Sequence, residues 1–187
     1  MNPILIDFPY EFETNRLHIR YPLPGDGKEV YDSIQASIEE LKPWMPFAQT
    51  EQSVDEVEAN IRESHAAFLK RDDLRLLLFN KQTGEFIGSS GLHRIDWDVR
   101  KFEIGYWVDS RYAGQGYMTE AVEGISEFAF EHLHARRVEI RCHARNLRSR
   151  KIAEKLQFDL EGILRNEDLS IDGKEVRDTC VYAKIND

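Results

Sequence analysis

Residues 102–133 read FEIGYWVDSRYAGQGYMTEAVEGISEFAFEHL, and the order of residue types in this stretch decides the fold. Tyr106, Trp107 and Val108 are aromatic or β-branched, which predicts a strand. From residue 118 onward the apolar side chains recur at helical spacing, at Met118, Ala121, Val122, Ile125, Phe128, Ala129 and Leu133. The stretch therefore predicts a strand, a short turn and a long helix with one buried face.

The turn between this strand and helix has glycine at positions 114 and 116. Glycine adopts backbone conformations closed to other residues and lets a ligand approach the main-chain amides. The free N–H groups and positive dipole end of the following helix would face that ligand, so phosphate is the expected guest. Rival phosphate motifs fail, because no Gly-Lys-Ser/Thr follows and position 119 is Thr where a dinucleotide fingerprint needs glycine.

Composition limits the classes of protein to which the chain can belong. With 187 residues and 41% hydrophobic content, we expect a single domain over residues 1–187. No apolar run approaches the ~20 residues of a membrane span, and the first residues lack a signal-peptide pattern, so we expect a cytoplasmic protein. A net charge of −9 argues against nucleic-acid binding and suits a cationic partner.

The cysteines and histidines do not form a metal-binding pattern. Cys142 and Cys180 are far apart in sequence, each within a predicted strand, and suit buried reduced thiols better than a disulfide or a metal site. The only close histidine pair, His132 and His134, lies at a predicted helix end, where a cationic ring interacts favourably with the helix dipole. We predict no metal.

Hydrophobic periodicity predicts the remaining elements. Strands are expected at 14–20, 74–79, 86–93, 101–108, 136–143, 158–169 and 176–183, and helices at 28–41, 53–69, 118–133 and 146–156. Ser53 and Glu56 have the form of a capping box. An antiparallel meander followed by a strand-helix-strand unit predicts an α/β (α+β) fold, with a mixed, mostly antiparallel sheet of about seven strands flanked by about four helices.

The glycine turn also resembles a known motif. Arg111, Gly114 and Gly116 match the Arg/Gln-x-x-Gly-x-Gly/Ala acyl-CoA loop of the GNAT N-acetyltransferase superfamily. Glu103-Ile104-Gly105-Tyr106-Trp107 before the loop and Asn146-x-x-Ser149 after it resemble the branch of ribosomal-protein serine/alanine N-terminal acetyltransferases. The resemblance covers residues 14–183 and implies the GNAT fold, with acetyl-CoA as co-substrate.

The resemblance also implies which residues form the site. Those expected to bind acetyl-CoA are Trp107, Val108, Arg111, Ala113, Gly114, Gln115, Gly116, Tyr117, Met118, Thr119, Asn146 and Ser149. Those expected to border the acceptor are Trp44, Met45, Phe47 and His93. Trp44, Met45 and Phe47 lie between two prolines or beside them, so they belong to a loop that either borders the acceptor or plugs the edge of the core. Asn146 is equally suited to cap the following helix.

Transfer of an acetyl group from a thioester to an amine needs a base, a polarised carbonyl and support for the departing thiolate. The resemblance implies that Val108 N–H polarises the carbonyl and that Ser149 serves the thiolate. The candidate bases that the resemblance implies are Glu103 and the Glu167–Asp168 pair, of which we favour Asp168. Glu103 could instead pair with Arg100 or Lys101 on the sheet. Adjacent residues of a regular strand point to opposite faces, so we expect only one of Glu167 and Asp168 to face the site.

The chain departs from the family pattern at two points. Relatives often have glycine where this chain has Gln157, at a position that closes the helix in a left-handed conformation. The tyrosine that often protonates the thiolate in the superfamily lies within the short helix, and residues 152–155 contain none. The second departure puts the identity of the acid in question.

These observations predict an acetyl-CoA-dependent N-acetyltransferase, a monomer or homodimer, that acts on the α-amine of a protein N terminus such as that of a ribosomal protein. One alternative is an enzyme that acetylates a small amine, for instance a polyamine, an amino sugar or an aminoglycoside. Another is a non-catalytic module that binds acyl-CoA. Release of thiol in the presence of an amine separates the enzymes from the binding module.

Overall fold

A computed structural model describes residues 2–186 of the chain. It contains eight strands, namely β1 (Glu11–Glu13), β2 (Leu17–Arg20), β3 (Leu74–Asn80), β4 (Phe86–Asp96), β5 (Lys101–Val108), β6 (Arg137–His143), β7 (Asp159–Leu169) and β8 (Val176–Ile185). Its five α-helices are α1 (Gly27–Ala36), α2 (Ile38–Leu41), α3 (Val54–Lys70), α4 (Tyr117–His132) and α5 (Leu147–Lys155).

All eight strands belong to one sheet, in the order β1-β2-β3-β4-β5-β6-β8-β7. Every neighbouring pair is antiparallel except β5 and β6, which run parallel. Parallel neighbours need a long crossover connection, and α4 supplies it. The prediction of a mixed, mostly antiparallel sheet is therefore confirmed.

Helices cover both faces of the sheet, and each face has its own apolar cluster. On one face α4 buries Met118, Ala121, Val122, Ile125, Phe128 and Ala129. On the other, Val30 and Ile34 of α1 and Val57 and Ile61 of α3 pack with Leu77, Phe79, Phe86 and Trp107. Burial of each of the side chains larger than alanine contributes about 1.5–3 kcal/mol. Apolar packing therefore supports the sheet from both faces.

The number of elements differs slightly from the prediction. The expected first strand, 14–20, is shorter, because Thr14 N–H donates to Leu17 O in a turn that leads from β1 into β2. The expected helix 28–41 is divided at Ser37, whose backbone leaves the helical conformation with φ −118° and ψ 9°. Ser110 N–H donates to the Ser37 hydroxyl over 2.8 Å, which ties this break to the chain after β5.

Several local predictions agree with the structure. The Ser53–Glu56 capping box at the start of α3 has both of its hydrogen bonds. Cys142 and Cys180 are buried, free and opposite each other on β6 and β8. Gln157 takes the left-handed conformation, with φ 59°, just past α5. In residues 2–186, no helix combines the length and the apolar character needed to cross a membrane.

Candidate active site

The glycine loop, residues 111–116, ends where α4 begins. Gly114 and Gly116 have φ values of 75° and 82°, a region that favours glycine. Gly116 is the N-cap of α4 and offers no side chain to the helix amides. Within residues 2–186, the N–H groups of residues 114–119 donate to no other protein atom. A cradle of unpaired donors at a helix N terminus fits an anion.

Arg111 supports the loop instead of facing the cradle. Its guanidinium lies 2.6 Å from Asp109 Oδ2, and its N–H also donates to Asp109. Burial would raise the pKa of Asp109, but the hydrogen bonds and charge of Arg111, together with the nearby Ser33, hold this pKa below its usual range. The exposed Arg111 therefore fixes the entry to the loop through a charge-assisted pair with the buried Asp109.

Arg16 is a cation at this loop that the sequence analysis did not identify. Its Nη1 donates to Gln115 O over 3.0 Å, and its guanidinium lies 4.2 Å from the centre of the Tyr117 ring. Glu120 of α4 holds its Nε at 2.6 Å. Arg16 is about a hundred residues away in sequence, so no local pattern could link it to the loop.

Strands β5 and β6 pair only at one end and then separate. Their parallel register joins residues 101–103 to 137–139 and goes no further. Asp109 N–H donates to Ile87 O on the β4 side. Because backbone groups alternate in direction along an antiparallel strand, Val108 N–H points to the opposite side, towards the gap between β5 and β6. The gap therefore exposes a backbone donor beside the glycine loop.

A cavity of about 600 Å³ lies at this gap, lined by residues of both strands and by Met118 of α4. It brings together most of the residues predicted to bind acceptor or carry chemistry, with part of the cofactor set: Trp44, Met45, Glu103, Trp107, Val108, Met118, Asn146, Ser149 and Asp168. The other predicted cofactor residues lie in the glycine loop or the first turn of α4. The two parts of the predicted site are therefore adjacent.

Phe47 and His93 do not line this cavity. The Phe47 ring packs 5.9 Å from the Trp107 ring and belongs to the cluster under α1 and α3. The His93 imidazole bonds to Asp73, with Nδ1 2.7 Å from Oδ2. The loop around Trp44 was expected either to border the acceptor or to plug the edge of the core. Phe47 packs at the edge of the core, whereas Trp44 and Met45 border the cavity.

Ser149 lies in the first turn of α5 and is held from two sides. Asn146 caps the helix, because its side-chain oxygen accepts the Ser149 N–H over 3.2 Å. The Tyr106 hydroxyl lies 2.9 Å from Ser149 Oγ and 3.0 Å from the Ser149 carbonyl oxygen. The sequence predicted that Asn146 could cap α5. It did not predict the contact between Tyr106 and Ser149, because β5 and α5 are far apart in sequence and meet only in the folded chain.

The carboxylates of the cavity differ in environment. Glu103 is mostly buried, and burial raises the pKa of its carboxyl. Its Oε2 has no hydrogen-bond partner within residues 2–186, and Arg94 Nε lies 3.6 Å away, too far for a hydrogen bond. Glu103 therefore does not pair with Arg100 or Lys101. Asp168 is exposed and accepts the Leu169 N–H over 2.8 Å.

Glu167 and Asp168 both line the cavity, contrary to the expectation for a regular strand. The strand is irregular here, because the β7–β8 register shifts between Leu164 and Asp168, and Asn166 has φ 53°. Such a bulge turns consecutive side chains towards the same side. Glu167 is held by Arg141 at 2.6 Å, so it is already neutralised.

Trp44 lines the cavity together with His143 and Arg177. Its ring lies 5.7 Å from the His143 ring and 5.6 Å from the Arg177 guanidinium. Arg177 also donates to Pro43 O over 3.1 Å, which joins β8 to the loop after α2. His143 and Arg177 were not identified from the sequence, since neither belongs to a recognisable motif.

A backbone anion cradle, a splayed pair of parallel strands and a polar cavity between them define a group-transfer enzyme that holds an anionic carrier. A family model described as Acetyltransferase (GNAT) domain matches residues 16–159, and the chain belongs to that family. It is therefore an N-acetyltransferase, and the resemblance seen in the sequence is confirmed.

Relatives and solved structures agree with this assignment. YdaF of Bacillus subtilis (strain 168), provisionally named a ribosomal N-acetyltransferase, is 31% identical over 82% of this chain and 83% of its own length. Ribosomal-protein-serine acetyltransferase of Escherichia coli (strain K12) is 28% identical over 77% of this chain and 76% of its own. RimL, a ribosomal-protein acetyltransferase solved with coenzyme A, superposes with a TM-score of 0.84 at 20% identity, covering 92% and 95% of the chains. The last comparison establishes the fold.

Proposed function

We propose that this protein transfers the acetyl group of acetyl-CoA to the α-amine of a protein N terminus. The observation that carries the proposal is the gap between β5 and β6. It joins the anion cradle at Gly114 and Gly116 to a cavity that contains Val108, Ser149 and Glu103. A pyrophosphate on the glycine loop and a reacting carbonyl in the gap are thereby held by one rigid sheet.

The free amides of residues 114–119 fit the pyrophosphate of acetyl-CoA, with Arg16 beside them as the added cation. Acetyl-CoA, when bound, supplies an acetyl thioester. Val108 N–H faces the gap and would donate to the thioester carbonyl oxygen. A fixed backbone donor of this kind stabilises negative charge that develops on oxygen during acyl transfer. Ser149 would donate to the sulfur from the other side of the gap.

For the base, burial favours Glu103 over Asp168. Glu103 has the raised pKa that a carboxylate needs to take a proton from an ammonium near neutral pH, whereas Asp168 lies exposed. Five residues of extended strand separate Glu103 from Val108, which is about 16 Å. The proton must therefore reach Glu103 through water in the cavity, while Asp168 attracts the cationic amine at the mouth.

A peptide acceptor fits the shape and position of the cavity. The cavity opens beside the exposed strand β7 and the loop that carries Trp44, so an extended chain could enter between them. Relatives named for ribosomal-protein acetylation support the same class of acceptor. The unpaired thiols of Cys142 and Cys180 fit a reducing compartment, in keeping with a reaction in the cytoplasm.

The test is an acceptor screen that follows thiol release from acetyl-CoA. The panel contains peptides with serine, alanine or methionine N termini, the same peptides with blocked N termini, polyamines, amino sugars and aminoglycosides. We expect release with free peptide N termini and none with their blocked forms. Faster turnover of a polyamine or aminoglycoside would replace the peptide proposal, and CoA binding without release for any amine would indicate a binding module.

A further inference from the structure

The hydroxyl of Tyr106 reaches the same serine that the proposed mechanism places at the sulfur. We propose that Tyr106 is a positioning residue, which donates to Ser149 Oγ and thereby aims the Ser149 hydroxyl proton at the sulfur of coenzyme A. The inference rests on the proposed function for the role of Ser149. Its geometric basis is the 2.9 Å contact between Tyr106 Oη and Ser149 Oγ.

The protons of the two hydroxyls allow two arrangements. Tyr106 has one proton and two acceptors within reach, the Ser149 carbonyl oxygen at 3.0 Å and Ser149 Oγ at 2.9 Å. If the phenol donates to the carbonyl, the 2.9 Å contact is a hydrogen bond only when the serine proton points back at Tyr106. If the phenol donates to Oγ, the serine proton is free to point into the cavity. An anionic sulfur in the gap selects the second arrangement, because it needs a donor.

The Tyr106 hydroxyl is suited to act as a hydrogen-bond donor that keeps its proton, and not as an acid. Burial raises its pKa, an effect larger than the opposing one of the Ser149 hydrogen bond. Cys142 on β6 and Tyr182 on β8 also face this phenol and act in the same direction. The phenol therefore remains protonated while the thiolate forms, and it stabilises charge on sulfur through the serine hydroxyl without becoming a phenolate.

This arrangement answers the question raised by the sequence of α5. Residues 152–155 contain no tyrosine, and Ser149 alone is a weak donor to a thiolate. The fold brings a phenol to Ser149 from β5, 43 residues earlier in the chain. A serine that is polarised by a second hydroxyl is a stronger donor than a serine alone, since hydrogen bonds in a chain reinforce one another.

A double-mutant cycle tests the inference in the acetylation assay. Tyr106→Phe and Ser149→Ala should each lower kcat by roughly tenfold, with little change in the KM for acetyl-CoA. The double variant should be no slower than Ser149→Ala alone, because Tyr106 acts only through that serine. Tyr182→Phe is the matched control, since its buried hydroxyl bonds to Arg150 and Glu154 of α5 and not to Ser149. Equal, additive losses from Tyr106→Phe in both backgrounds would overturn the inference.

A second measurement needs no acceptor, so it separates this inference from the proposed function. The thiol of bound coenzyme A can be titrated by the ultraviolet absorbance of its thiolate. Tyr106→Phe should raise the pKa of that thiol by about half a unit to one unit, and Tyr182→Phe should leave it unchanged. That shift would support the inference even if no amine is acetylated. A thiol pKa that is the same in Tyr106→Phe and the wild type would overturn it.

Discussion

The glycine loop and the acceptor cavity are built in opposite ways. The loop, residues 111–116, and the first turn of α4 form one continuous stretch that presents free main-chain N–H groups. The cavity draws side chains from α2, the loop after α2, β4, β5, the start of α4, β6, α5, β7 and β8. A contiguous backbone site leaves a mark in the sequence, because glycine is needed at particular positions. A site assembled from distant side chains leaves almost none.

The largest effect should follow from a change in the loop backbone. Gly114→Val or Gly116→Val should weaken coenzyme A binding by at least about a hundredfold, because a branched side chain would stand in the cradle and resist positive φ. No protein atom lies within 4 Å of a Cβ at Gly114, so a loss of affinity in this variant could not come from a clash with the protein at that Cβ. Isothermal titration calorimetry with coenzyme A measures the effect.

Gly84→Val is the matched control for backbone strain. Gly84 has the same φ, 75°, and the same open surroundings, but it lies in the β3–β4 turn. It should lose stability as Gly114→Val does and keep its affinity for coenzyme A. Unchanged affinity in a folded Gly114→Val variant would remove the claim that the backbone of this loop binds the cofactor.

On the acceptor side, the next largest effect should come from Glu103. The base must be ionised, so kcat/KM should fall as the pH drops through the pKa of Glu103, which burial places above that of an ordinary glutamate. Glu103→Gln should lower kcat/KM by about a hundredfold and flatten this acidic limb. Asp168→Asn should instead raise the KM of the acceptor and leave the limb in place.

Glu161→Gln, on the same strand as Asp168 and paired with Arg137, controls for loss of a carboxylate outside the cavity. Its pH profile should match that of the wild type. If Asp168→Asn flattens the acidic limb and Glu103→Gln does not, Asp168 is the base, as the sequence analysis favoured.

The extent to which sequence predicted each region follows from this difference. Apolar periodicity and the glycines predicted most strands, the long helices and the glycine turn before α4, because these depend on local patterns. The sequence did not predict the contacts of Tyr106, Arg16 and Arg177, because the partners of these residues lie on elements remote in sequence. The sequence also did not predict that Glu167 and Asp168 both line the cavity. That expectation assumed that side chains alternate between the two faces of β7, and a bulge in β7 breaks this alternation.

A smaller effect should come from ionic strength. The net charge of −9 attracts a cationic peptide, but the cavity itself is lined by as many arginines as carboxylates, namely Arg94, Arg141, Arg148, Arg177, Glu40, Glu103, Glu167 and Asp168. Electrostatic attraction of the peptide must then come from the charge of the whole protein, and salt screens this attraction over about 10 Å at 0.1 M. The KM of a basic peptide should rise about two- to threefold with added salt, and the KM of acetyl-CoA should change less. An acidic peptide of equal length is the control, and an equal rise for both would contradict steering.

The smallest effect concerns stability at the far end of α5, which begins at the site and ends away from it. Gln157 occupies the left-handed position of a helix-closing motif, in which Gln157 N–H donates to Glu154 O and Phe158 N–H donates to Ala153 O. A residue with a side chain pays about 1–2 kcal/mol to adopt this φ, and glycine does not. Glycine gives back part of that gain, because it loses more conformational entropy when the chain folds. Gln157→Gly should therefore raise the free energy of unfolding by about 0.5–1 kcal/mol, or Tm by about 2 °C, as measured by denaturant and thermal melts.

Gln157→Ala is the control, because it keeps the strained conformation and should give no such gain. The kcat should stay unchanged in both variants, because Gln157 is exposed and lies outside the cavity. Equal stability of the glycine and alanine variants would show that the left-handed turn costs this chain nothing, so that the departure from the family pattern at this residue has no energetic consequence.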